Sequence, residues 1–378
     1  MFRGINSVIK GNEACIDIQI YDLEKAFDRV PRSRMWAVLE REEYKVPKSL
    51  LKAIKALYNT CESRVQEGSW FKVGCGVRQG SALSPLLFII YMDRVVKDIA
   101  ADNIETLSYA DDVALVAESE ELLQACVNEW CRQLEKYEMK MNVTKSEVMV
   151  LSRGEGRCNI TATGGQKLKE VNSFKYLGVN FNDSGIMEKE IDVRLTKYSK
   201  NVGLLYPLLK EREIPQKVKV TIYKTVLRPI LTYGCEAWVT IKRLRSKIQA
   251  AEMRVLRLIL GITLRDRIRN EVVREKLEVE SILDFIERCQ LRWYGHVMRM
   301  EETRYPKKYL DWQPSGKRPR GRPRMRWIQN IGDAVRRRNT TFDQLEEEER
   351  YKDRAWWRGF LYLDSVQLTG ATPNRRRM

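Results

Sequence analysis

The sequence has little of what would bind zinc or enter a membrane. It contains a single histidine, His296, and its eight cysteines form no Cys-x-x-Cys pair. Because structural zinc sites need such ligands at short spacing, the sequence predicts no zinc, and reduced, mostly buried thiols instead. The longest apolar run covers only residues 86–92, whereas a membrane span needs about 20 residues. The residues after Met1 lack the apolar segment of a signal peptide. We therefore expect no membrane partner.

Positive charge, in contrast, is abundant. Lysine and arginine number 68 against 51 acidic residues, which gives a formal net charge of +17. Such an excess favours a polyanionic partner, either nucleic acid or an acidic membrane surface. Hydrophobic residues make up 43% of the 378 residues, enough for real cores. The length suggests roughly two or three domains.

The hydrophobic periodicity changes near residue 186. Before it, strand patterns recur: Ile16, Ile18 and Ile20 alternate with polar residues, and short strands flank an acidic turn near residue 111. Residues 32–58 are predicted to be helical, and Pro85 is predicted to open an apolar helix, because proline favours the first helical turn. After residue 186, helical spacing dominates, with one helix over 245–260 that Gly261 is expected to cap and a further helix over 271–299. Beyond residue 306 the chain is basic and rich in proline and glycine. The pattern predicts an α+β domain, a helical domain and a basic carboxyl-terminal region.

Two acidic turns carry the candidate chemistry. Asp22 follows the first strand, and Asp111 and Asp112 lie between two later strands. If these strands are neighbours, the carboxylates meet and repel, and divalent cations such as Mg²⁺ relieve the repulsion. Paired ions of this kind serve phosphoryl transfer. Asp22 shares parity with Ile18 and Ile20, so either the strand twists at its end or both of its faces are covered.

Five segments in one order resemble the catalytic motifs of LINE-type reverse transcriptases, the polymerases of non-LTR retrotransposons. They are residues 22–31 (DLEKAFDRVP), 76–88 (GVRQGSALSPLLF), 109–112 (YADD), 142 with 145–147 (N, KSE) and 174–178 (FKYLG). Together they cover about half of the chain, and the second is the most specific. The resemblance implies an RNA-directed DNA polymerase whose palm is an antiparallel sheet with helices on one face, followed by a helical thumb.

The resemblance also implies a role for each matched position. Asp22 and Asp111 would hold two Mg²⁺ ions, with Asp112 beside them, and Phe27 would lie under the sugar of the incoming deoxynucleotide. The remaining roles are contact with template and nucleotide for Gln79 and Gly80, protonation or neutralisation of the leaving pyrophosphate for Lys145, and primer contact for Tyr176, Leu177 and Gly178. Taken singly, Phe27 also fits a core position, Gly80 an ordinary turn and Lys145 an exposed surface.

On this resemblance we expect a palm over residues 1–185, a thumb over 186–263, a helical connection over 264–300 and a basic nucleic-acid-binding region over 301–378. Family members carry a fingers region before the first motif, and only about twenty residues precede Asp22 here. The expectation is therefore a chain that lacks most of the fingers and has weak or no polymerase activity alone.

The carboxyl-terminal half offers weaker signals. Residues 233–238 and 292–296 resemble downstream elements of the same proteins, with His296 expected in a packed core and the tryptophans near the end expected in a small cluster. A basic run resembles an AT-hook, and it also fits a phosphate clamp, a nuclear-import signal or a solvated linker. Its candidate nucleic-acid-binding residues are Lys317, Arg318, Arg320, Arg322, Arg324 and Arg326.

The sequence thus favours a LINE-type reverse transcriptase that uses an RNA template, a DNA primer or target, dNTPs and two Mg²⁺ ions, with a nuclear location expected. Two alternatives stay open. One is a catalytically silent remnant of a mobile element that binds nucleic acid electrostatically. The other is a maturase of the group II intron type.

Overall fold

The structure is a computed structural model, which describes residues 17–21, 23–99, 105–117, 119–150, 158–162, 164–182, 187–308, 310 and 325–363. Residues 17–21 and 105 are described by their backbone alone. The described chain forms two compact units, one up to residue 182 and the other from residue 187.

The first unit combines strands and helices. Its strands are β1 (Asp17–Tyr21), β2 (Glu62–Ser63), β3 (Phe71–Lys72), β4 (Glu105–Tyr109), β5 (Asp112–Ala117), β6 (Glu147–Val150), β7 (Lys169–Glu170), β8 (Ser173–Tyr176) and β9 (Val179–Asn182). Its helices are α1 (Ala26–Arg29), α2 (Arg32–Leu39), α3 (Lys48–Asn59), α4 (Ser84–Lys97) and α5 (Glu120–Lys136). The α+β character predicted for this part of the chain is confirmed.

The main sheet has five strands in the order β4-β5-β1-β6-β7, so the first strand of the chain lies in its centre. β1 pairs antiparallel with β5, where Tyr21 faces Val113, and antiparallel with β6, where Ile20 faces Glu147. The sheet is antiparallel apart from the short β6–β7 pair, which is parallel. The central strand thereby draws together segments that are far apart in sequence.

Both faces of β5 are covered. Val113, Ala114, Leu115, Val116 and Ala117 are all buried, although successive side chains of a strand point to opposite faces. Val113, Leu115 and Ala117 join the core beneath α2–α5, whereas Ala114 and Val116 are buried outside that core. Of the two explanations for the parity of Asp22, coverage of both faces therefore holds for β5, the strand beside β1.

Helix boundaries follow proline and left-handed residues. α4 begins at Ser84 with Pro85 in its first turn, as predicted, because proline fits where no helical N–H partner is needed. A single helix over residues 32–58 is wrong, since α2 ends at Leu39 and α3 begins at Lys48. Pro47 precedes α3, and proline disfavours helical backbone in the residue before it.

The second unit is helical. Its helices are α6 (Met187–Lys210), α7 (Gln216–Ile222, continued by a π-helical turn at Tyr223–Leu227), α8 (Arg228–Thr232), α9 (Lys242–Leu260), α10 (Asn270–Leu277), α11 (Ile282–Met298), α12 (Tyr305–Lys308), α13 (Trp327–Arg336), α14 (Phe342–Glu347) and α15 (Arg354–Leu361). Gly261 caps α9 in the left-handed conformation (φ 68°), as predicted. The helix expected over 271–299 is two helices, because Glu278 turns left-handed (φ 50°) and Ser281 caps α11.

Tryptophans in the carboxyl-terminal part of this unit pack together in a cluster. Trp327 and Trp357 are buried, and Trp356 stacks on Phe360 with ring centroids 5.1 Å apart, which confirms the predicted cluster. His296 lies exposed on α11 with its ring 5.4 Å from that of Trp293, so the expected core position is wrong. No helix among the described residues is both long and apolar enough to cross a membrane.

Candidate active site

The acidic turn lies at the tip of the β4–β5 hairpin. Tyr109 pairs with Asp112, so Ala110 and Asp111 form a two-residue turn. Ala110 has φ 54°, a left-handed conformation that is strained for a residue with a side chain and that clusters at functional sites. Asp111 and Asp112 are half-buried. The hairpin therefore presents two neighbouring carboxylates at one end of the central sheet.

The first motif directly follows β1 in the chain. Tyr21 pairs with Val113, two residues after Asp111, and Asp22 lies outside the described residues. On its far side, Leu23 bridges Met141. The residues on both sides of Asp22 are thus paired, one with the acidic hairpin strand and the other with the chain that leads into the fourth motif. The convergence of Asp22 and Asp111 stays a prediction.

The second motif is bonded to the first. The N–H of Gly76 donates to the carbonyl of Val30 at 2.8 Å, and that of Val77 donates to the carbonyl of Phe27, also at 2.8 Å. The Gln79 amide donates to the Asp28 carboxylate at 2.7 Å. The structure therefore brings Phe27 and Gln79, two of the predicted nucleotide-binding residues, into adjoining segments.

Each of these predicted residues has a distinct setting. The Phe27 ring is half-buried and stacks on the fully buried Phe88, with centroids 4.5 Å apart. Gln79 and Gly80 are exposed. Gly80 has φ 82° and open space where a Cβ would lie, whereas a Cβ on Gly76 (φ 79°) would come within 2.6 Å of the Asp28 carbonyl oxygen. Glycine is therefore needed at position 80 for its backbone conformation alone. At position 76 it is needed both for its conformation and for the close packing against Asp28.

Arg32 is a site residue that the sequence did not single out. Its guanidinium donates to the carbonyl of Gly76 at 3.0 Å and of Tyr58 at 3.3 Å, and also to that of Val73. It lies over the Tyr58 ring at 4.9 Å. Arg32 begins α2, directly after the first motif, and therefore holds the segment that leads into the second motif against this helix. In the sequence, only the position of Arg32 directly after the first motif pointed to this role.

The fourth and fifth motifs border the same sheet. Lys145 is exposed in a turn whose amides, those of Lys145 and Ser146, bond to the Asn142 carbonyl. In the fifth, β8 and β9 are joined by Leu177 (φ 45°) and Gly178 (φ 80°), which is the pattern of a type I′ hairpin turn.

Tyr176 connects the fifth motif with the acidic hairpin. Its hydroxyl donates to the carbonyl of Leu107 on β4 at 3.3 Å. Burial, and to a lesser degree the charge of Asp112, raises the pKa of Tyr176 well above its ordinary value. A tyrosine hydroxyl is protonated at physiological pH, and burial of Tyr176 keeps it a donor to the Leu107 carbonyl.

The basic run falls almost entirely outside the residues that the structure describes. Lys317, Arg318, Arg320, Arg322 and Arg324 lie outside the described residues. Arg326 is half-buried just before α13, and its N–H donates to the Gln329 side chain at 2.6 Å.

Comparison with known proteins supports the resemblance that the five motif segments carry. The family model described as "Reverse transcriptase (RNA-dependent DNA polymerase)" matches residues 4–181. This stretch contains all five motif segments and the acidic hairpin. The chain carries a reverse transcriptase domain.

Several proteins that are similar to this chain come from mobile elements. A transposon-derived protein of Caenorhabditis elegans is 27% identical over 64% of this chain and 87% of its own length. The Pol polyprotein of the type-1 retrotransposable element R2 of Nasonia vitripennis is 30% identical over 51% of this chain. The RNA-directed DNA polymerase of the mobile element jockey of Drosophila melanogaster is 23% identical over 64%. These similarities confirm the resemblance to LINE-type reverse transcriptases, the polymerases of non-LTR retrotransposons.

The matched lengths differ between these relatives. The chain covers 20% of the R2 polyprotein and 28% of the jockey polymerase. Among solved structures, telomerase from Candida tropicalis with a telomeric RNA fragment is 14% identical over 82% of this chain and 50% of the telomerase chain, with a TM-score of 0.37.

Proposed function

We propose that this chain catalyses RNA-directed DNA synthesis, the transfer of a nucleotide from a dNTP to a primer 3′-OH on an RNA template. The observation that carries the proposal is the pairing of Tyr21 with Val113. Asp22 directly follows Tyr21 in the chain, and Asp111 lies in the turn directly before β5. Consecutive Cα atoms are about 3.8 Å apart, so the chain itself limits how far Asp22 can lie from this end of the sheet.

The donor chemistry suits Mg²⁺. Carboxylate oxygens are the hard ligands that this ion prefers, and sites with two ions use carboxylates from separate segments. Within the described part of the chain, the Asp111 carboxylate has no salt-bridge partner that would compete. Asp22 and Asp111, with Asp112 beside them, would hold two Mg²⁺ ions, which supply positive charge at the attacking and leaving oxygens when bound.

Substrate positioning falls to the first and second motifs. Gln79 is held by Asp28, so its exposed side chain has a defined place from which to contact template and nucleotide. Gly80 carries no Cβ, so a ligand can approach its backbone closely. Phe27 is supported from behind by Phe88, which gives a ring under the sugar little freedom to move aside. Together these residues would orient the α-phosphate for attack.

The remaining assignments extend the proposal. Lys145 would neutralise the leaving pyrophosphate, and the Tyr176–Gly178 hairpin turn would contact the primer end. The palm would comprise residues 1–185, the thumb 186–263, the connection 264–300 and the basic region 301–378. Lys317, Arg318, Arg320, Arg322, Arg324 and Arg326 would bind nucleic-acid phosphates, and the protein would act in the nucleus.

Primer extension tests this function. The full chain is incubated with a DNA primer annealed to an RNA template, dNTPs and Mg²⁺. We expect extension that is low in yield, requires the divalent ion and requires the RNA template. Nucleic-acid binding that weakens with salt, without any extension at saturating protein, would instead identify a silent binding protein and overturn the proposal.

A Phe27→Ala substitution is expected to relax the choice of sugar. Removing the ring takes away the group that would collide with a ribose 2′-OH, so incorporation of rNTP relative to dNTP should rise by about tenfold or more. Single-nucleotide extension with each substrate measures the ratio. Phe71→Ala, which removes an exposed ring on β3, is the matched control and should leave the ratio unchanged. An unchanged ratio in Phe27→Ala would remove this residue from the sugar site.

A further inference from the structure

Two cysteines that are distant in sequence meet in the helical unit. Cys235 begins a 3₁₀ turn (Cys235–Ala237) after α8, and Cys289 lies in α11. Both are buried, at 1% and 8% exposure. Their sulfur atoms and a carboxylate oxygen of Glu236 all lie within 4.8 Å of one another. The cluster is outside the polymerase motifs, and nothing in the proposed reaction uses it.

The backbone that carries these side chains is held in place by neighbouring side chains. Gln290, the residue after Cys289, donates to the carbonyl of Cys235 at 3.2 Å and to that of Trp238 at 2.8 Å. The Trp327 indole N–H donates to the carbonyl of Glu236 at 2.7 Å. The 3₁₀ turn and α11 are therefore fixed to each other by bonds that do not involve the sulfur atoms. Ligands on such elements need little reorganisation to bind an ion.

The charges around the cluster are also suitable. The two thiol groups lie within 4.8 Å of each other, so a single metal ion could replace the protons of both. Arg292 lies close enough to act on Cys289 through its positive charge, whereas the neighbouring Arg288 is paired with Glu280. Two thiolates and one carboxylate would carry three negative charges, a divalent ion would cancel two of them, and Arg292 would offset part of the remainder. A buried ionic site is tolerated only when its charge is compensated in this way.

We propose that Cys235, Glu236 and Cys289 bind one zinc ion, with water as the fourth ligand. Zinc accepts thiolate and carboxylate together, whereas magnesium and calcium select oxygen alone. With zinc–sulfur bonds of about 2.3 Å, tetrahedral geometry places two sulfurs about 3.8 Å apart. The observed upper limit of 4.8 Å requires a closure of about 1 Å or less. The ion would connect the 3₁₀ turn to α11.

Cobalt titration of the full reduced chain tests the site, because Co²⁺ replaces zinc and absorbs light. We expect one Co²⁺ per chain, with thiolate charge-transfer bands and the strong visible bands of tetrahedral cobalt, all abolished by Zn²⁺. Cys235→Ser and Cys289→Ser should each remove the charge-transfer bands. Glu236→Gln retains both sulfurs, so the bands should persist while affinity falls by about tenfold or more. Cys75→Ser removes an exposed thiol and should change nothing.

Three outcomes would overturn the proposal. One is a folded wild-type chain, checked by circular dichroism, that gives no thiolate–cobalt bands. Another is a set of bands that survives in Cys289→Ser. The third is a metal-free Cys235–Cys289 disulfide that forms in air and accounts for the pairing, seen by thiol counting and peptide mapping. The Glu236→Gln variant keeps the test decisive if either serine variant does not fold.

Discussion

Asp111→Asn is expected to abolish primer extension, lowering its rate by about a thousandfold or more. In a two-metal transfer the carboxylates hold the charge that neutralises the attacking and leaving oxygens, and electrostatic groups of this kind contribute the largest share of catalysis. An amide retains the size of the side chain but not its charge. Asp111 lies at a hairpin tip and is only half-buried, so the fold should persist. Primer–template binding should be unchanged or slightly tighter, since one negative charge is lost.

The matched control is Asp343→Asn, an equal change of charge at an exposed position in the helical unit. It should leave extension at the wild-type level. Single-turnover extension and salt-dependent binding, measured side by side, separate chemistry from affinity. Extension by Asp111→Asn at more than a tenth of the wild-type rate would remove this residue from the metal site.

Gly76→Ala is expected to destabilise the sheet-containing unit by about 3 kcal/mol. Left-handed backbone costs a residue with a side chain about 1–2 kcal/mol. The new Cβ would also come within 2.6 Å of the Asp28 carbonyl oxygen, which is backbone and cannot rotate away. The substitution should therefore separate the first motif from the second, because the Gly76–Val30 bond lies beside this contact.

Gly80→Ala is the control for conformation alone. Its φ of 82° matches the 79° of Gly76, but a Cβ there meets open space. We expect a loss of about 1 kcal/mol at position 80. Urea unfolding, with hydrogen exchange to follow the unit that holds both glycines, measures the two variants. Equal losses at 76 and 80 would show that the close approach to Asp28 does not contribute.

The sequence predicted the features that depend on local chemistry. Alternation of apolar residues marked β1 and the strands on either side of the acidic turn, and Pro85 marked the start of α4. Gly261 marked the end of α9 because a left-handed cap favours glycine. The five motif segments were recognisable for the same reason, since each is a short run of adjacent residues.

What the sequence could not predict depends on partners distant along the chain. Lys45 and Glu278 adopt left-handed backbone although neither is glycine, and the helices predicted across them are interrupted. Arg32 gained its role only when the fold brought the Gly76 carbonyl to it. The absence of short Cys-x-x-Cys spacing argued against zinc, yet Cys235 and Cys289 meet through the packing of α11 against the 3₁₀ turn.

Iron-mediated cleavage tests whether Asp22 and Asp111 share metal ions. Fe²⁺ is substituted for Mg²⁺, peroxide and ascorbate are added, and the cut sites are mapped by mass spectrometry. We expect backbone cuts in two places, around residues 21–23 and around residues 110–112, both lost with excess Mg²⁺ and both lost in Asp111→Asn. Cuts at only one of these places, or cuts near Asp22 that persist in Asp111→Asn, would show that the two carboxylates do not share metal ions.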